Sequence, residues 1–290
     1  MKSKLNSQEI IHFPKWLRKT VPLKGQKNRV EKFLKNFSIH SVCEEAKCPN
    51  RMECFACGTA AFLLMGNICT RSCSFCNVKC GTPSLLDLNE PDHICEIVKL
   101  LNLSYVVLTS VTRDDLYDGG AMHIAETIKK LKERIPDIKI EVLIPDFKGD
   151  FDALKYVLES KPDVVNHNIE TVRSVFQQIR PEANYELSLE VLKHIADSHF
   201  NIPVKSGFMV GLGETEDQII TLMEDLKKSK VTIITIGQYL QPSSKQVPVK
   251  EFITPYQFKR YYLLGKNIGF RKILAGTFVR SSYKAEEILT

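Results

Sequence analysis

Short apolar segments alternate with amphipathic stretches along most of this 290-residue chain. The apolar segments have the length of buried strands, and they are residues 59–66, 105–109, 138–144, 163–166, 202–205 with 208–210, and 232–236. Stretches between them carry apolar residues at helical spacing, notably residues 120–135, 186–198 and 215–229. This alternation predicts an α/β fold whose parallel sheet is closed or partly closed into a barrel.

The barrel segments do not use the whole chain. We expect an N-terminal extension over residues 1–58, the barrel over residues 59–270 and a C-terminal extension over residues 271–290. A chain of this length can bury a large core in one such domain. In barrels of this kind the active site lies at the C-terminal ends of the strands, so residues that directly follow strands are the first functional candidates.

A cysteine triplet, Cys69, Cys73 and Cys76, follows the first predicted strand with the spacing C-x₃-C-x₂-C. Three thiolates can hold three irons of a cubic iron–sulfur cluster and leave the fourth iron open to a substrate or cofactor. Zinc also binds closely spaced cysteines, but a zinc site usually closes with a fourth Cys or His, for which Cys80 is in range. The spacing therefore indicates a reactive iron–sulfur site, with structural zinc as the alternative.

A second triplet, Cys43, Cys48 and Cys54, precedes the first with the spacing C-x₄-C-x₅-C. The alternative is a disulfide-stapled region, but the nine cysteines are an odd number and residues 1–9 are polar rather than an apolar signal segment. We therefore expect a reducing, cytoplasmic environment, in which clustered thiols bind metal. The remaining cysteines are expected to be free thiols, and they are Cys57, Cys80 and Cys95.

With Phe75 directly before its last cysteine, the first triplet resembles the signature of radical S-adenosylmethionine enzymes. Nearly the whole chain, from about residue 16 onward, is similar to the lipoyl synthases of that superfamily. The similar stretches are residues 42–50 (VCEEAKCPN), 64–66 (LMG), 109–111 (TSV), 113–116 (RDDL), 118–120 (DGG), 141–147 (EVLIPDF), 166–171 (NHNIET), 205–215 (KSGFMVGLGET), 237–242 (GQYLQP) and 279–283 (VRSSY).

The resemblance implies a partial (β/α)₆ barrel and a defined chemistry. In this family a [4Fe–4S] cluster on the triplet that matches Cys69, Cys73 and Cys76 binds S-adenosylmethionine at its open iron and cleaves it to a 5′-deoxyadenosyl radical. Lipoyl synthases use two such cleavages to insert sulfur at C6 and C8 of an octanoyl chain that is amide-linked to a lysine of a carrier domain. These carbons are unactivated, so a cofactor must carry the chemistry.

The resemblance also implies a second [4Fe–4S] cluster, which donates sulfur, on Cys43, Cys48 and Cys54. Its fourth ligand would be the first serine of the RSSY segment, Ser281, and a serine oxygen suits an iron that must be released. Ser282 is the adjacent competitor, and the spacing alone does not separate the two. Without the resemblance, Ser281 would be taken for a surface serine near the end of the chain.

Residues near the predicted strand ends are candidates for binding S-adenosylmethionine, and they are Phe75, Ser110, Gly119, Gly120, Asn168, Glu170, Lys205 and Gln238. Alternatives remain for several of them. Gly119 and Gly120 fit a plain loop before a helix, and Glu170 fits a helix N-terminus. We expect Arg180 to lie on a solvated face and His167 in the core or behind the residues that touch substrate.

The charge pattern and the resemblance together predict the partners. The net charge is +6, and basic residues are concentrated within residues 15–35, which suits an acidic protein partner by electrostatic steering or is simply a solvated face. The family implies an octanoylated lipoyl carrier domain of a 2-oxoacid dehydrogenase or the glycine cleavage H protein, an electron donor such as flavodoxin or ferredoxin, and an iron–sulfur carrier for cluster repair. We expect a monomer with neither nucleic-acid nor membrane binding.

Two other functions remain open at this level. The chain could be a different radical S-adenosylmethionine enzyme with an auxiliary cluster, such as one that thiolates tRNA, although no nucleic-acid-binding appendage is visible in the sequence. It could also be a non-catalytic zinc-binding interaction protein. About eight irons per chain after anaerobic reconstitution would separate the radical enzymes from the zinc protein.

Overall fold

A computed structural model describes residues 13–18, 27–56 and 61–288. Its main sheet contains, in spatial order, β1 (His40–Ser41), β2 (Ala61–Leu64), β5 (Tyr105–Ser110), β6 (Lys139–Leu143), β7 (Val164–Asn166), β8 (Val204–Val210), β9 (Ile233–Gln238) and β10 (Lys272–Gly276). A separate parallel pair is formed by β3 (Ile68–Cys69) and β4 (Lys79–Cys80). Cys57 and the first two residues of the predicted strand 59–66 lie outside the described residues, as does part of the basic stretch 15–35.

The sheet confirms the predicted α/β fold class. All neighbours from β2 to β10 are parallel, and β1 runs antiparallel to β2. The two segments predicted near residue 205 form one continuous strand, β8, which runs through Ser206 and Gly207. Strand β10 pairs with β9 inside the region expected to be only a C-terminal extension, so the sheet continues beyond the predicted barrel strands. The proposed domain boundaries stay a prediction.

Among the described residues, three helices precede β2 and seven more fill the connections between the parallel strands. They are α1 (Lys27–Asn36), α2 (Val42–Glu45), α3 (Arg51–Ala56), α4 (Glu90–Leu101), α5 (Ala121–Arg134), α6 (Phe151–Glu159), α7 (Arg173–Ile179), α8 (Tyr185–Asp197), α9 (Glu216–Lys228) and α10 (Pro255–Ile268). The three helices predicted from periodicity are α5, α8 and α9, each within one residue of the predicted bounds. Helix α9 begins with a capping box between Thr215 and Gln218, which satisfies two of its free N–H groups.

The strands are apolar on both faces because both faces are covered, as is usual in parallel sheets. All residues of β2 and of β9 are buried. Within the described ranges, none of the helices has the length and apolar character needed to cross a membrane. Parallel pairing brings the C-terminal ends of the strands to one edge of the sheet, and the cysteine loop after β2 joins that edge.

Candidate active site

A cavity of about 470 Å³ lies at the C-terminal edge of the parallel sheet. We call it the chamber. Cysteines of both triplets line it, namely Cys43, Cys48, Cys69, Cys73 and Cys76. Two motifs that are separate in sequence therefore face one cavity, which is large enough for a small molecule and part of an acyl chain.

The first triplet lies on the loop that connects β3 to β4. Backbone N–H groups point at two of its sulfur atoms: Thr112 N donates to Cys69 Sγ at 3.3 Å and Val78 N donates to Cys76 Sγ at 3.5 Å. Such donors to sulfur tune the charge and potential of an iron–sulfur cluster. Burial raises the pKa of the Cys73 thiol to about 11 and of the Cys76 thiol to about 12. These thiols stay protonated until a metal displaces the proton.

Arg71 connects this loop to the ends of two strands through hydrogen bonds of its buried side chain. Its guanidinium forms paired hydrogen bonds with Asp114, at 2.7 and 3.0 Å, and with Asp146, at 2.7 and 2.7 Å. Asp114 follows β5 and Asp146 follows β6, so one side chain joins the cysteine loop to two strand ends. Although burial acts in the opposite direction, hydrogen bonds from Arg71 hold the pKa of Asp146 below its usual range.

The other side of the loop is held by backbone and side-chain contacts. Ser74 N donates to the carbonyl oxygen of Ile179 at 3.0 Å, and Ser72 N donates to a carboxylate oxygen of Glu182 at 2.6 Å. The side chain of Gln246 donates to the carbonyl oxygen of Cys76 at 3.0 Å. The loop is therefore fixed on both sides before any cofactor binds.

The second triplet surrounds a smaller recess beside the chamber. The recess is lined by Cys43, Cys48, Asn50, Cys54, Ala61, Val107, Arg280, Ser282 and Tyr283. Cys43 lies in α2 and Cys54 in α3, and burial raises the pKa of the Cys43 thiol. The C-terminal segment closes the recess, because Asn50 donates to the carbonyl oxygen of Phe278 at 2.7 Å and Tyr283 donates to Glu53 at 2.9 Å.

The two serines of the RSSY segment face different spaces. Ser282 lines the recess as well as the chamber, whereas Ser281 lines the chamber alone. The Oγ of Ser281 accepts a 3.4 Å hydrogen bond from Asn168, and its carbonyl oxygen accepts one from Lys205 at 2.5 Å. Ser281 stays a prediction as cluster ligand, but the lining of the recess favours Ser282.

Several residues that line the chamber carry buried polar atoms without a hydrogen-bond partner. Among the described residues these include Ser110 Oγ, His167 Nε2 and Asn168 Oδ1. His167 Nδ1 lies 2.9 Å from the carbonyl oxygen of Ile144, which can only accept, so this nitrogen carries the proton and Nε2 presents a lone pair. Burial lowers the pKa of His167 to about 4 and keeps the ring neutral. Buried acceptors and hydroxyls of this kind suit a polar ligand.

Two charged residues complete this polar side, Glu170 and Arg180. Burial raises the pKa of Glu170, while Arg180 opposes the rise. Arg180 is buried, contrary to its expected solvated position, because it donates to the carbonyl oxygen of Asn168 at 3.1 Å and lies 4.0 Å from Asp146. With Phe75 also in the wall, four predicted binding residues come together here: Phe75, Ser110, Asn168 and Glu170.

The other four predicted binding residues do not line the chamber. A Cβ on Gly119 would lie 2.9 Å from the Phe147 ring and one on Gly120 would lie 2.2 Å from Met65 Sδ, so both glycines permit close packing. Gln238 bonds backbone carbonyls of Val210, Tyr239 and Glu251. Lys205 is fully buried against Glu141, with Nζ to Oε1 at 2.7 Å.

The sequence reasoning missed two arginines that shape the site, Arg71 and Arg280, and it favoured a solvated face over a carboxylate partner for a third, Arg180. Arg71 and Arg280 lie in motifs that were read only for their cysteines or serines. Arg71 stands inside the cysteine loop and Arg280 opens the RSSY segment. A cation within an otherwise apolar strand end is the signal that could have identified them.

The donor set fits iron–sulfur clusters better than a zinc ion. Each triplet offers three soft thiols, and no disulfide links two of the described cysteines. Cys80, the expected fourth zinc ligand, is exposed and does not line the chamber. Over residues 13–18, 27–56 and 61–288, no three His, Cys, Asp or Glu side chains are grouped to hold a single metal ion. A cubic cluster spreads its thiolates over separate irons.

Comparison with known proteins agrees with this geometry. The family model described as "Radical SAM superfamily" matches residues 63–226, and the model described as "N-terminal domain of lipoyl synthase of Radical_SAM family" matches residues 1–48. A protein named lipoyl synthase from Caldanaerobacter subterraneus subsp. tengcongensis is 50% identical over 276 residues, which are 95% of this chain and 96% of that protein. Another from Neisseria gonorrhoeae is 48% identical over 281 residues, 97% of this chain and 86% of that protein.

Solved structures with low sequence identity share the fold. Methylornithine synthase PylB has a TM-score of 0.54 and 14% identity, with 88% of this chain and 84% of that chain covered. Streptococcus suis SuiB bound to S-adenosylmethionine has a TM-score of 0.58 and 12% identity, with 73% of this chain and 49% of that chain covered.

Proposed function

This chain belongs to the lipoyl synthases of the radical S-adenosylmethionine superfamily, and we propose that its chamber brings two [4Fe–4S] clusters to one octanoyl chain. It is a sulfur-inserting enzyme that uses S-adenosylmethionine and a [4Fe–4S] cluster. The residues that bind each group, the second cluster and the partner proteins are the parts that we propose.

Cys69, Cys73 and Cys76 hold the cluster that cleaves S-adenosylmethionine. When bound, the first cluster and S-adenosylmethionine would supply the radical that abstracts hydrogen from C6 and C8. The second cluster would supply the inserted sulfur. The chain fixes the position of the first cluster through Arg71 and through the N–H donors to Cys69 and Cys76. The polar wall of Ser110, His167 and Asn168 binds the nucleoside and amino-acid parts of S-adenosylmethionine.

Cys43, Cys48 and Cys54 hold the sulfur-donating cluster in the recess, with a serine oxygen of the RSSY segment as the fourth ligand. Ser282 is the ligand that the lining of the recess supports, and Ser281 is the ligand that family resemblance implies. The apolar wall nearest to this triplet includes Val42, Ala61 and Val107, so it suits the octanoyl chain.

The single observation that carries this proposal is the shared chamber. A radical formed at one triplet must reach C6 and C8, and the same carbons must then meet sulfur at the other triplet. Cys48 and Cys73 line one continuous cavity, so a single bound acyl chain can contact both without leaving the protein.

The chemistry also requires partners. The octanoyl chain arrives on a lipoyl carrier domain of a 2-oxoacid dehydrogenase or of the glycine cleavage system. Each cleavage consumes an electron, which a flavodoxin or ferredoxin supplies, and the degraded cluster is rebuilt by an iron–sulfur carrier. These partners follow from the reaction and stay proposals.

The test is mass spectrometry of an octanoyl-lysine peptide after incubation with reconstituted protein, S-adenosylmethionine and a reductant. The intact protein is expected to give a dithiolated peptide and 5′-deoxyadenosine. Cys73→Ala is expected to abolish both products. Cys48→Ala is expected to abolish sulfur insertion while some 5′-deoxyadenosine still forms, because the first triplet is intact.

Cys80→Ala is the matched control, since Cys80 is an exposed cysteine on the same loop and outside the chamber. It is expected to keep iron content and both products. Loss of iron in this variant would instead indicate that Cys80 is a fourth metal ligand of the first triplet, as in a zinc site. Full product from Cys48→Ala would show that the sulfur comes from elsewhere.

A further inference from the structure

Arg280 lies between the two cysteine triplets. Its side chain lines the recess of Cys43, Cys48 and Cys54 and also the chamber. Gly237 makes room for it, because a Cβ there would lie 2.2 Å from the carbonyl oxygen of Val279 and 3.2 Å from Arg280 Nη1. The chain thus has a site built for a guanidinium at this point.

Among the described residues, Arg280 forms no close ion pair with a carboxylate, and Glu170 is a neighbour at longer range. Among the ion pairs of the described residues none includes Arg280, and its hydrogen bond goes to the carbonyl oxygen of Val279 at 2.6 Å. Its charged neighbours are Cys48 and Glu170. Glu170 is also the neighbour of Arg180, so one carboxyl group faces two arginines. An arginine does not lose its proton in a protein, so Arg280 is a permanent cation without a close ion pair of its own among the described residues.

A half-buried cation without a close anion, such as Arg280, costs folding free energy unless something offsets the cost. The matching anion is the set of thiolates that face Arg280 across the recess, which become negative when they bind iron. Arg71 at the first triplet differs, because Asp114 and Asp146 already neutralise it. A cation without a close ion pair is therefore found at the second triplet and not at Arg71.

We propose that Arg280 is the counter-ion of the cluster held by Cys43, Cys48 and Cys54, and that it raises the reduction potential of that cluster. The inference rests on the proposed second cluster. Arg280 offsets the negative charge of the thiolates and of the core, so it stabilises the loaded recess. It also favours the reduced form, because a nearby cation stabilises the added electron.

The first experiment isolates this cluster in a parent protein in which Cys69, Cys73 and Cys76 are all replaced by Ala. A redox titration followed by electron paramagnetic resonance gives the midpoint potential. At the parent's midpoint, Arg280→Met is expected to lower the ratio of reduced to oxidised cluster about tenfold, a shift of about 59 mV for one electron. Arg280→Lys keeps the charge and is expected to recover most of the shift.

Lys47→Met is the matched control, because Lys47 directly precedes Cys48 but is exposed to solvent. Water screens its charge, so its removal is expected to change the ratio less than twofold. Equal shifts of the midpoint potential in Lys47→Met and Arg280→Met would overturn the assignment of Arg280 as the counter-ion. So would an unchanged potential in Arg280→Met with about four irons still bound.

The second experiment measures thermal unfolding of the same variants with and without iron. Without iron, Arg280→Met is expected to melt at a higher temperature than the parent, because a half-buried charge without a close ion pair is gone. With iron, it is expected to melt at a lower temperature and to lose iron faster to a chelator. A purely structural arginine would lower both temperatures, and that result would overturn the proposal. A parent that binds no iron would instead overturn the second cluster itself.

Discussion

Lys205 connects the core of the barrel to the C-terminal segment. Its Nζ lies 2.7 Å from Oε1 of Glu141 on β6 and 2.5 Å from the carbonyl oxygen of Ser281. Lys205 and Glu141 are both fully buried, and Tyr105 donates to the same carboxylate at 3.0 Å. The backbone of the RSSY segment is therefore positioned by an ion pair inside the sheet.

We predict that removing this connection empties the second cluster site and spares the first. Lys205→Met alone leaves Glu141 buried and unpaired, which costs about 3–5 kcal/mol. The double variant Lys205→Met with Glu141→Gln removes that charge and restores most of the folding free energy. Its iron content is expected to fall from about eight to about four per chain, while 5′-deoxyadenosine still forms.

Tyr105→Phe is the control for this pair, because it removes a hydrogen bond to Glu141 but leaves Lys205 bonded to Ser281. It is expected to keep about eight irons. If the double variant also keeps its full iron content, Lys205 does not position the C-terminal segment.

A second prediction concerns the cysteine loop. Arg71→Lys keeps the charge but cannot form both paired contacts with Asp114 and Asp146. The loop is expected to loosen, so iron is lost from the first cluster several times faster than in the unchanged protein, measured with a chelator. Arg113→Lys is the control, because Arg113 pairs with Asp115 and does not line the chamber. Equal iron loss in the two variants would contradict the assignment.

The same contact gives a third prediction, on pH. Arg71 holds the pKa of Asp146 below its usual value, so the pair contributes stability that is full above the unfolded carboxyl pKa of about 4 and is lost as the pH falls below it. The difference in unfolding free energy between the unchanged protein and Asp146→Asn is therefore expected to be largest near neutral pH and to shrink in acid. Urea unfolding at pH 7 and pH 3 measures it. A difference that grows in acid would contradict the sign.

The strands β2 and β5 to β9 could be predicted from the sequence because each is a short, mostly buried apolar run. The periodic apolar positions of α5, α8 and α9 gave their bounds within one residue. Strand β10 was missed because its apolar run is short, has Lys272 and Gly276 at its two ends, and follows a long helix. Its parallel pairing with β9 depends on contacts distant in sequence, which periodicity does not contain.

Site residues could be predicted where the chemistry requires a particular residue type. They were harder to predict where packing decides which side chain faces the cavity. Thiols at cluster spacing have few other uses, so the cysteines could be found directly. Gln238 is the last residue of β9, whereas Lys205 was predicted at a strand end but lies near the start of β8, and each bonds the protein itself. Only the direction of a side chain separates these cases, and a strand end does not specify that direction.

A fourth prediction separates the two serines. Ser282→Ala is expected to weaken the second cluster, because Ser282 lines the recess with the three cysteines. Ser281→Ala is expected to keep that cluster, because its carbonyl oxygen still binds Lys205. Iron content and the electron paramagnetic resonance spectrum of the second cluster provide the measurement. The reverse result would assign the ligand to Ser281, as the family resemblance implies.

The last prediction compares two glycines by adding one methyl group to each. Gly120 has φ 86° and its added Cβ would meet Met65, away from the chamber. Gly207 lines the chamber, and its added Cβ would lie 2.6 Å from Thr235 Oγ1 and 2.8 Å from Asn168 Oδ1. Gly120→Ala is therefore expected to cost about 1–3 kcal/mol of stability without changing the KM for S-adenosylmethionine.

Gly207→Ala, unlike Gly120→Ala, is expected to change the KM for S-adenosylmethionine. Its methyl group is expected to displace Asn168 in the chamber wall, so the KM for S-adenosylmethionine rises severalfold. The backbone stays unstrained because Gly207 does not need a positive φ. Steady-state formation of 5′-deoxyadenosine and thermal unfolding, measured on both variants, separate the two effects. A raised KM in Gly120→Ala at unchanged stability would return Gly120 to the binding site, because only a ligand contact would then explain the loss.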